Sequence, residues 1–426
     1  MELTEQPVKS GFAFSKIQPW IVCFAASLFF FYEFIQGNMF ASIADNIMQE
    51  FNIQAQQMTY LSSIYYIANV IFLFFAGMML DRRSAKKTML IAMLLCVTST
   101  FILANTHSFY LALLCRFVTG IGSAFCFLGP IRIASRWFPA QRMALVTGCI
   151  VTTAMTGGMM AQYPLTKIVA VFGWRESLTL VAWLGVAMLI IMAAAIKDKP
   201  GSEPEKRTTK EPLFNAAKQA YFNSQAFRAA AYTSLMNMGI AVFGALIGTL
   251  YLMQRLGISK EEAAIVNSLL FLGTIIGGPL IGWFSDRIGL RVIPMKLGAI
   301  ASLATVLSIM YLPVSLPVMK VLFFLLGFFT SSQIISYALV AESSPPAMTA
   351  TAVSLISILT QAGYVLYQNL FSGLLVKYGE MHLVHNVPTY SLHSYQSATV
   401  IIPLGLILAL MLIMRLQETY CHRVKG

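Results

Sequence analysis

Residues 77–87 read GMMLDRRSAKK, and residues 282–291 read GWFSDRIGLR. Both segments follow the pattern G-x-x-x-D-R, and each stands at the end of a long apolar block. A glycine in such a block permits close approach of a second helix, and an aspartate at a helix end can cap the helix or pair with a neighbouring one. Because the pattern occurs twice, it predicts a chain built from two related halves.

The sequence around these turns consists of apolar blocks of about twenty residues, the length that crosses a hydrocarbon core as a helix. Of the 426 residues, 58% are hydrophobic and 11% are charged, whereas a soluble domain carries about 25% charged residues. Strand-like alternation is absent from the blocks. We therefore predict an all-α integral membrane protein with twelve transmembrane helices at 18–46, 57–80, 88–105, 108–133, 142–168, 175–196, 229–253, 262–284, 291–311, 316–341, 348–376 and 397–416.

The net charge of +12 does not indicate a nucleic-acid partner, because Lys and Arg concentrate on one side of the predicted membrane. This bias predicts that both termini are cytoplasmic and requires an even number of spans. We expect a bacterial inner (cytoplasmic) membrane protein with six-helix halves at 18–196 and 229–416, a cytoplasmic linker at 197–228, and cytoplasmic ends at 1–17 and 417–426. The expected partners are the bilayer, a small-molecule substrate and protons, with the chain as a monomer.

Several classes of function are disfavoured by what the sequence lacks. The six cysteines form no CxxC pair, and the five histidines fall in loops or the tail, so neither a metal site nor a haem is predicted. No glycine-rich nucleotide loop follows a strand, which argues against ATP-driven transport. We therefore expect no cofactor and no enzymatic activity. A solute sensor would need a signalling domain, and the terminal segments are too short to form one.

The paired turns resemble the signature loop of the major facilitator superfamily, which its members carry in both halves. Residues 116–122 (RFVTGIG) are similar to the family's R-x-x-x-G-x-G pattern, and residues 136–139 (RWFP) and 172–175 (FGWR) are also similar to elements of bacterial members. The resemblance covers the whole chain. It implies a secondary transporter with two six-helix halves that alternate around a midplane site.

The resemblance also implies roles for particular residues. The signature turns hold the cytoplasmic side closed in the family, which implies gating roles for Gly77, Asp81, Arg82, Gly282, Asp286 and Arg287. The stretch from SRWFP to TAMTGG further resembles the phagosomal amino-acid and nucleoside transporters of intracellular bacteria. Antiporters of the family often carry a Gly/Pro-rich motif in the fifth span, whereas the first proline of this span is Pro164. Uptake is therefore favoured over export.

Two charged residues fall inside predicted spans, where charge is costly and marks a candidate functional site. Glu33 lies about 20 Å along the first helix from Trp20, and Arg116 lies seven residues into the fourth span, so both are roughly 10 Å from the non-cytoplasmic side. Equal depth would permit an ion pair. We hypothesise that Arg116 binds an anionic group such as a substrate carboxylate, and that Glu33 pairs with it or carries a proton. A permanent pair that only fixes helix packing is the alternative.

Other polar side chains recur at helical spacing and suit a cavity for a polar solute. Interhelical hydrogen bonding is their alternative role. Val321 stands where the second half would repeat Arg116, so charge recognition is predicted for the first half and neutral hydrogen bonding for the second. The predicted substrate-binding residues besides Arg116 are Gln36, Tyr65, Tyr66, Asn69, Asn237, Gln333, Tyr337, Gln361, Tyr364 and Gln368.

Together these features predict proton-coupled import of a small polar metabolite, with an amino acid favoured. A nucleoside, organic-anion or siderophore transporter, a facilitative uniporter and an efflux pump are the alternatives.

Overall fold

The structure is a computed structural model that describes residues 14–82, 84–138, 143–197, 223–343, 349–378, 381–384 and 387–421. The helices of the first half are α1 (Phe14–Asn38), α2 (Phe40–Glu50), α3 (Ala55–Arg82), α4 (Ala85–Asn105), α5 (Phe109–Ser123), α6 (Leu128–Trp137), α7 (Met143–Met160) and α8 (Tyr163–Ala195). The second half contains α9 (Ser224–Met236), a π-helix (Ile240–Ile247), α10 (Gly248–Leu256), α11 (Lys260–Ile288), α12 (Val292–Tyr311), α13 (Leu316–Thr330), a 3₁₀-helix (Ser331–Ile334), α14 (Ile335–Glu342), α15 (Thr349–Tyr378), α16 (Leu392–Thr399) and α17 (Ile401–Ile413).

The helices are long and apolar enough for a multi-pass membrane protein. Within the described residues, eight helical stretches pass a test of length and apolarity, and the bent pair Ser224–Met236 and Ile240–Leu256 makes a ninth. One stretch, Val146–Ala195, has 50 residues, about 75 Å of helix and more than twice the hydrocarbon thickness. Gly173 divides it, because its φ of 79° and ψ of 167° are not helical. Ala55–Arg82, with 28 residues, and Thr349–Tyr378, with 30 residues, are also long enough to cross, and with them the described residues accommodate twelve crossings.

Several helix boundaries follow from local sequence chemistry. Ser84 caps α4 by accepting a hydrogen bond from the N–H of Lys87 at 3.2 Å. Ser259 and Glu262 form a reciprocal capping box at the start of α11, the arrangement expected for S-x-x-E. The second half starts at Ser224, before the predicted boundary at 229, and residues 198–222 of the predicted linker lie outside the described residues.

One element has no counterpart in the predicted all-helical pattern. Strands β1 (Met381–Val384) and β2 (Val387–Tyr390) form an antiparallel hairpin between α15 and α16. Its two short segments are too brief for period-2 alternation to stand out from loop sequence. The hairpin lies near α2 of the first half, and Tyr390 at its end is buried.

The two halves meet along α3 with α15 and along α7 with α11. We define the far end of the bundle by residues 40–54 and 257–268, and the terminal end by residues 14–20 and 414–421. At the far end, Lys260 of the second half pairs with Asp45 of the first at 2.7 Å, and Lys167 pairs with Glu261 at 2.7 Å. Polar contacts therefore join the halves at the far end.

Candidate substrate and coupling site

Three helices of the first half bring charged and polar side chains to one buried point. Glu33 and Gln36 come from α1, Tyr65 comes from α3, and Arg116 comes from α5; each is at most 4% exposed. Helix α5 approaches α3 closely because Gly120 lies against the backbone carbonyl of Tyr65, where a Cβ would collide. The R-x-x-x-G spacing therefore places the guanidinium one turn from a close helix contact.

Arg116 is fully buried and has no carboxylate within ion-pair distance among the described residues. Its Nε donates to the carbonyl of Leu61 at 3.1 Å, and its Nη1 donates to Oε1 of Gln36 at 3.4 Å. The guanidinium carbon lies 4.7 Å from the ring centre of Tyr65 and 5.0 Å from that of Phe40. Nη2 has no hydrogen-bond partner among the residues that the structure describes. One edge of a buried cation is thus left without an acceptor.

Glu33 contacts Tyr65 rather than Arg116. Its Oε2 accepts a hydrogen bond from the Tyr65 hydroxyl at 3.0 Å, and its Oε1 has no hydrogen-bond partner in the described structure. The ion pair that equal depth would permit is not formed in this conformation, because Tyr65 holds the carboxylate and neutral oxygens hold the guanidinium. Tyr65 touches both charged groups, with its hydroxyl on one and its ring face on the other.

A second layer of side chains orients Gln36, and sequence reasoning missed it. The amide Nε2 of Gln36 donates to the hydroxyl of Thr100 at 3.0 Å, and the Tyr32 hydroxyl donates to the same oxygen at 3.1 Å. Thr100 in turn donates to the Cys96 carbonyl at 2.8 Å. A threonine or tyrosine inside an apolar block looks like a packing residue. The i, i+4 spacing of Tyr32 and Gln36 is the sequence signal that could have placed both on one helix face.

The predicted tyrosines of the two halves meet at the interface. The Tyr66 hydroxyl donates to the Gly37 carbonyl at 2.9 Å, and its ring centre lies 4.9 Å from that of Tyr364 on α15. On the same helix as Tyr66, Asn69 donates to the Ser123 hydroxyl at 2.7 Å. These residues extend the buried polar region from α1 towards the second half.

The predicted amides of the second half are largely engaged in hydrogen bonds between helices. Asn237 and Gln333 exchange hydrogen bonds, with Gln333 Nε2 donating to Asn237 Oδ1 at 3.2 Å. Gln368 is buried and donates to the Ala241 carbonyl at 3.1 Å. Tyr337 and Gln361 are half-buried. In this conformation the amide pair and Gln368 serve as interhelical links, which was the alternative role.

The second signature turn forms a charge cluster within its own half. Arg291 pairs with Asp286 at 2.6 Å and with Glu342 at 2.7 Å. Glu418 of the carboxy-terminal segment accepts hydrogen bonds from the backbone N–H groups of Arg291 at 2.7 Å and Val292 at 2.8 Å. Arg291 stands at the N-cap of α12 without a capping side chain, so Glu418 supplies the cap.

The glycines of the signature turns lie in open space within the described structure. A Cβ built on Gly77 or Gly282 would meet no described atom within 4 Å, so the close helix approach that the pattern predicts is not seen among the described residues in this conformation. Arg287 lies over the Trp283 ring at 5.2 Å. The backbone of Asp81 and Arg82 ends α3, but their side chains lie outside the described part of the chain.

Within the described residues, no group of three or more His, Cys, Asp or Glu side chains could hold a metal ion. Two surface depressions are lined by Phe101, Ile102, Asn105, Thr106 and Leu111 and by Arg255, Leu256, Pro313 and Val314. Neither contains a predicted site residue. The Glu33–Tyr65–Arg116 network lies outside both depressions.

The fold is that of a polytopic helical membrane protein. The chain belongs to the Major Facilitator Superfamily, whose family model matches residues 22–247 and 229–420. It is a multi-pass membrane protein with the all-α fold of that superfamily.

Similar proteins include transporters for different solutes. The hexuronate transporter of Bacillus subtilis is 23% identical over 270 residues, covering 60% of this chain and 62% of that protein. The probable sulfoacetate transporter of Cupriavidus necator is 23% identical over 301 residues, covering 67% and 69%. The matched region thus spans less than two thirds of the hexuronate transporter. The solved structure of a bacterial homologue of the human lysosomal transporter Spinster, inward-facing and unoccupied, has a TM-score of 0.73 at 18% identity, covering 93% of this chain and 96% of that one.

Proposed function

We propose that this chain imports a small metabolite that carries a carboxylate group, and that a proton on Glu33 moves with it. Arg116 would bind the carboxylate, and the two six-helix halves would expose the site alternately to the two sides of the membrane. The observation that carries the proposal is the Nη2 of Arg116, a buried donor of a charged group that has no partner in the described part of the chain.

Burial of the Arg116 cation carries a free-energy cost. Moving a charged side chain out of water costs several kcal/mol even after relaxation of the protein. The hydrogen bonds to Leu61 and Gln36 and the contacts with the Tyr65 and Phe40 rings offset part of that cost. All of these partners are neutral. An anion that reached Nη2 would add a charge-assisted hydrogen bond, the stronger kind.

Glu33 is the second part of the proposal. Its carboxyl is buried with Oε1 unpartnered, and it shares Tyr65 with Arg116. A carboxyl in this setting can hold a proton while the solute is bound and lose it when the site opens to a side of higher pH. Because Tyr65 contacts both groups, binding of a carboxylate at Arg116 would change the surroundings of the Glu33 carboxyl. Both side chains are buried in this conformation, so the mechanism requires a second conformation that admits solute.

The substrate class follows from the charge of the site and from the relatives. An amino acid, favoured by the sequence, would place its carboxylate at Arg116 and its ammonium group towards Glu33. Two relatives are named for hexuronate and sulfoacetate. Both solutes are organic acids that also carry a carboxylate. The shared chemistry is the carboxylate, and the test includes both kinds of solute.

Orientation and assembly belong to the proposal as well. The concentration of Lys and Arg in the predicted cytoplasmic segments supports cytoplasmic termini. We propose a bacterial inner membrane as the location. The candidate site lies within one chain, which supports a monomer as the transporting unit.

Uptake by purified protein in liposomes tests the proposal. Labelled L-amino acids, a hexuronate and a nucleoside are presented separately, with an imposed inward proton gradient and with a protonophore. We expect accumulation of a carboxylate solute that the protonophore abolishes, and no uptake of the nucleoside. Accumulation of the nucleoside alone would overturn the role assigned to Arg116, and carboxylate entry that only equilibrates would overturn the proton coupling.

A further inference from the structure

The seventh crossing contains a segment whose backbone is not α-helical. Residues Ile240–Ile247 form a π-helix, and all eight are buried. At its end, the N–H of Gly248 donates to the carbonyl of Phe243, five residues earlier. The crossing bends by 41° between Ser224–Met236 and Ile240–Leu256. Helices of the π type are rare and occur mostly at functional sites.

Three amide side chains hold the carbonyl groups of this π-segment. Gln368 of α15 donates to the Ala241 carbonyl at 3.1 Å, and Asn267 of α11 donates to the Phe243 carbonyl at 3.0 Å. Gln162 donates to the Gly244 carbonyl at 2.9 Å. A buried backbone carbonyl needs a donor, and inside a membrane no water is at hand to supply one. The Phe243 carbonyl also accepts from the N–H of Gly248, so Asn267 is a second donor there. The Gly244 carbonyl, by contrast, lacks the Gly248 N–H that a regular α-helix would give it, and Gln162 supplies a donor in its place.

Of the three donors, Gln162 comes from the opposite half. It is fully buried, and its Oε1 also accepts a hydrogen bond from Asn267 at 2.7 Å. The backbone of Gln162 is held by the first half. The Ser42 hydroxyl donates to the Ala161 carbonyl at 2.6 Å and lies 3.1 Å from the Gln162 carbonyl. Gln162 must therefore move with the first half whenever the two halves separate at the far end.

We propose that the π-segment is the gate of the far end and that Gln162 is the positioning residue that keeps it in its present form. When the far end opens, Gln162 withdraws, and the Gly244 carbonyl loses its donor. The segment then rewinds to an α-helix, in which that carbonyl accepts from the N–H of Gly248. Rewinding changes the twist between α9 and α10 and carries α10 away from the first half. The proposal concerns how the protein closes and does not depend on the identity of the solute.

The glycine at position 248 also favours the proposed change between the π-helical and α-helical forms. A Cβ at this position would collide with the Phe243 carbonyl and with the Asn267 amide in the present structure. The collision with the Phe243 carbonyl follows from the five-residue hydrogen bond, which brings that oxygen to Gly248. Glycine therefore permits the π-form, and alanine should disfavour it.

The surrounding ion pairs do not replace this contact. Lys167 and Glu261 are 48% and 41% exposed, and ion pairs open to solvent contribute little. Lys260 and Asp45 are less exposed, at 23% and 22%, but both lie outside the π-segment. The buried amide contact is the one that links the position of the first half to the backbone form of the second.

Hydrogen exchange of the full chain in detergent, read by mass spectrometry, tests the gate without a substrate. In Gln162→Leu we expect exchange to rise roughly fivefold in residues 240–250 and in the far-end segments 40–50 and 257–268, the factor that corresponds to one buried hydrogen bond. Gly248→Ala should raise exchange in the same segments. Thr233→Val is the matched control, because Thr233 lies in the same crossing and loses a buried hydrogen bond to Ser336 without touching the π-segment.

Three results would overturn the proposal. The first is exchange within twofold of wild type in all three segments of folded Gln162→Leu. The second is an equal rise in Thr233→Val, because loss of any buried hydrogen bond in this crossing would then suffice. If Gln162→Leu does not fold, Gly248→Ala decides the matter by itself, and unchanged exchange in that variant contradicts the gate.

Discussion

Replacing Arg116 by glutamine removes the cation that we propose binds the solute, while keeping a side chain that can donate to Leu61 or Gln36. The bound carboxylate would lose a hydrogen bond to a charged group, worth about 1.5–3 kcal/mol. Since 1.4 kcal/mol corresponds to a factor of ten, the Kd for the carboxylate solute should rise roughly 10- to 150-fold. Arg116→Lys should fall between wild type and Arg116→Gln, because it keeps the charge but not the planar donor edge.

The assay is equilibrium binding of the labelled solute identified by the liposome screen, measured on purified protein in detergent. Arg255→Gln is the matched control, because Arg255, in the last turn of α10, donates to the Leu312 carbonyl at 2.8 Å and lies outside the candidate site. A melting curve of each variant separates loss of fold from loss of binding. A folded Arg116→Gln variant whose Kd stays within threefold of wild type would refute the reasoning and leave Arg116 a packing role.

Three further predictions concern other carboxylates. Glu33→Gln should abolish accumulation driven by a proton gradient and retain exchange of labelled for unlabelled solute; accumulation that persists would remove Glu33 as the proton carrier. Glu418→Gln should lower the Tm by about 1 °C, because a helix cap contributes about 1 kcal/mol and a chain of 426 residues unfolds with an entropy of about 0.9 kcal/mol per kelvin. Exposed Glu176→Gln should leave the Tm unchanged; equal Tm values in the two variants would show that the cap contributes nothing. The hydrogen bond from Arg175 lowers the pKa of Glu50 in the folded protein. The contribution of Glu50 to stability is therefore complete above its pKa in the unfolded chain, about 4.3, and disappears as the pH falls through its lower pKa in the folded protein. The loss of Tm between pH 5 and pH 3 should accordingly be smaller in Glu50→Gln, and an identical loss would contradict this.

The features of the fold that depend on composition were predictable from the sequence. The apolar blocks indicated the helices, and the repeated G-x-x-x-D-R pattern indicated two halves. The membership of the superfamily confirms the predicted all-α membrane fold. The short hairpin and the π-segment were not predictable, because neither leaves a periodic signal: Ile240–Ile247 is uniformly apolar, and its backbone form depends on Gln162, Asn267 and Gln368 from three other parts of the chain.

The candidate site was predictable to the level of side chains but not of contacts. Depth along two helices brought Glu33 and Arg116 to the same level, and helical phase placed Gln36 on the same face. The helix approach at Gly120 then inserts Tyr65 against both charged groups. No reading of spacing could foresee this, because it depends on how closely α5 and α3 pack. For the same reason, the expected direct ion pair is replaced by a tyrosine bridge.

Glu418 illustrates a further limit. Its role depends on a helix start that lies 126 residues earlier in the chain, at Val292. The first half caps the equivalent helix with its own Ser84, so the two related turns solve one problem in different ways. Repetition of a motif predicts a repeated fold, but it does not predict repeated hydrogen-bond partners.

The proposed transport mechanism requires above all that a solute carboxylate reaches the open edge of Arg116. An experimental structure of the protein with its transported solute bound is the direct measurement. We predict a carboxylate oxygen about 2.7–2.9 Å from Nη2 of Arg116, the distance of a charge-assisted hydrogen bond. A solute whose carboxylate lies against a different basic residue, while Arg116 stays sealed by Gln36, Tyr65 and Phe40, would contradict the claim.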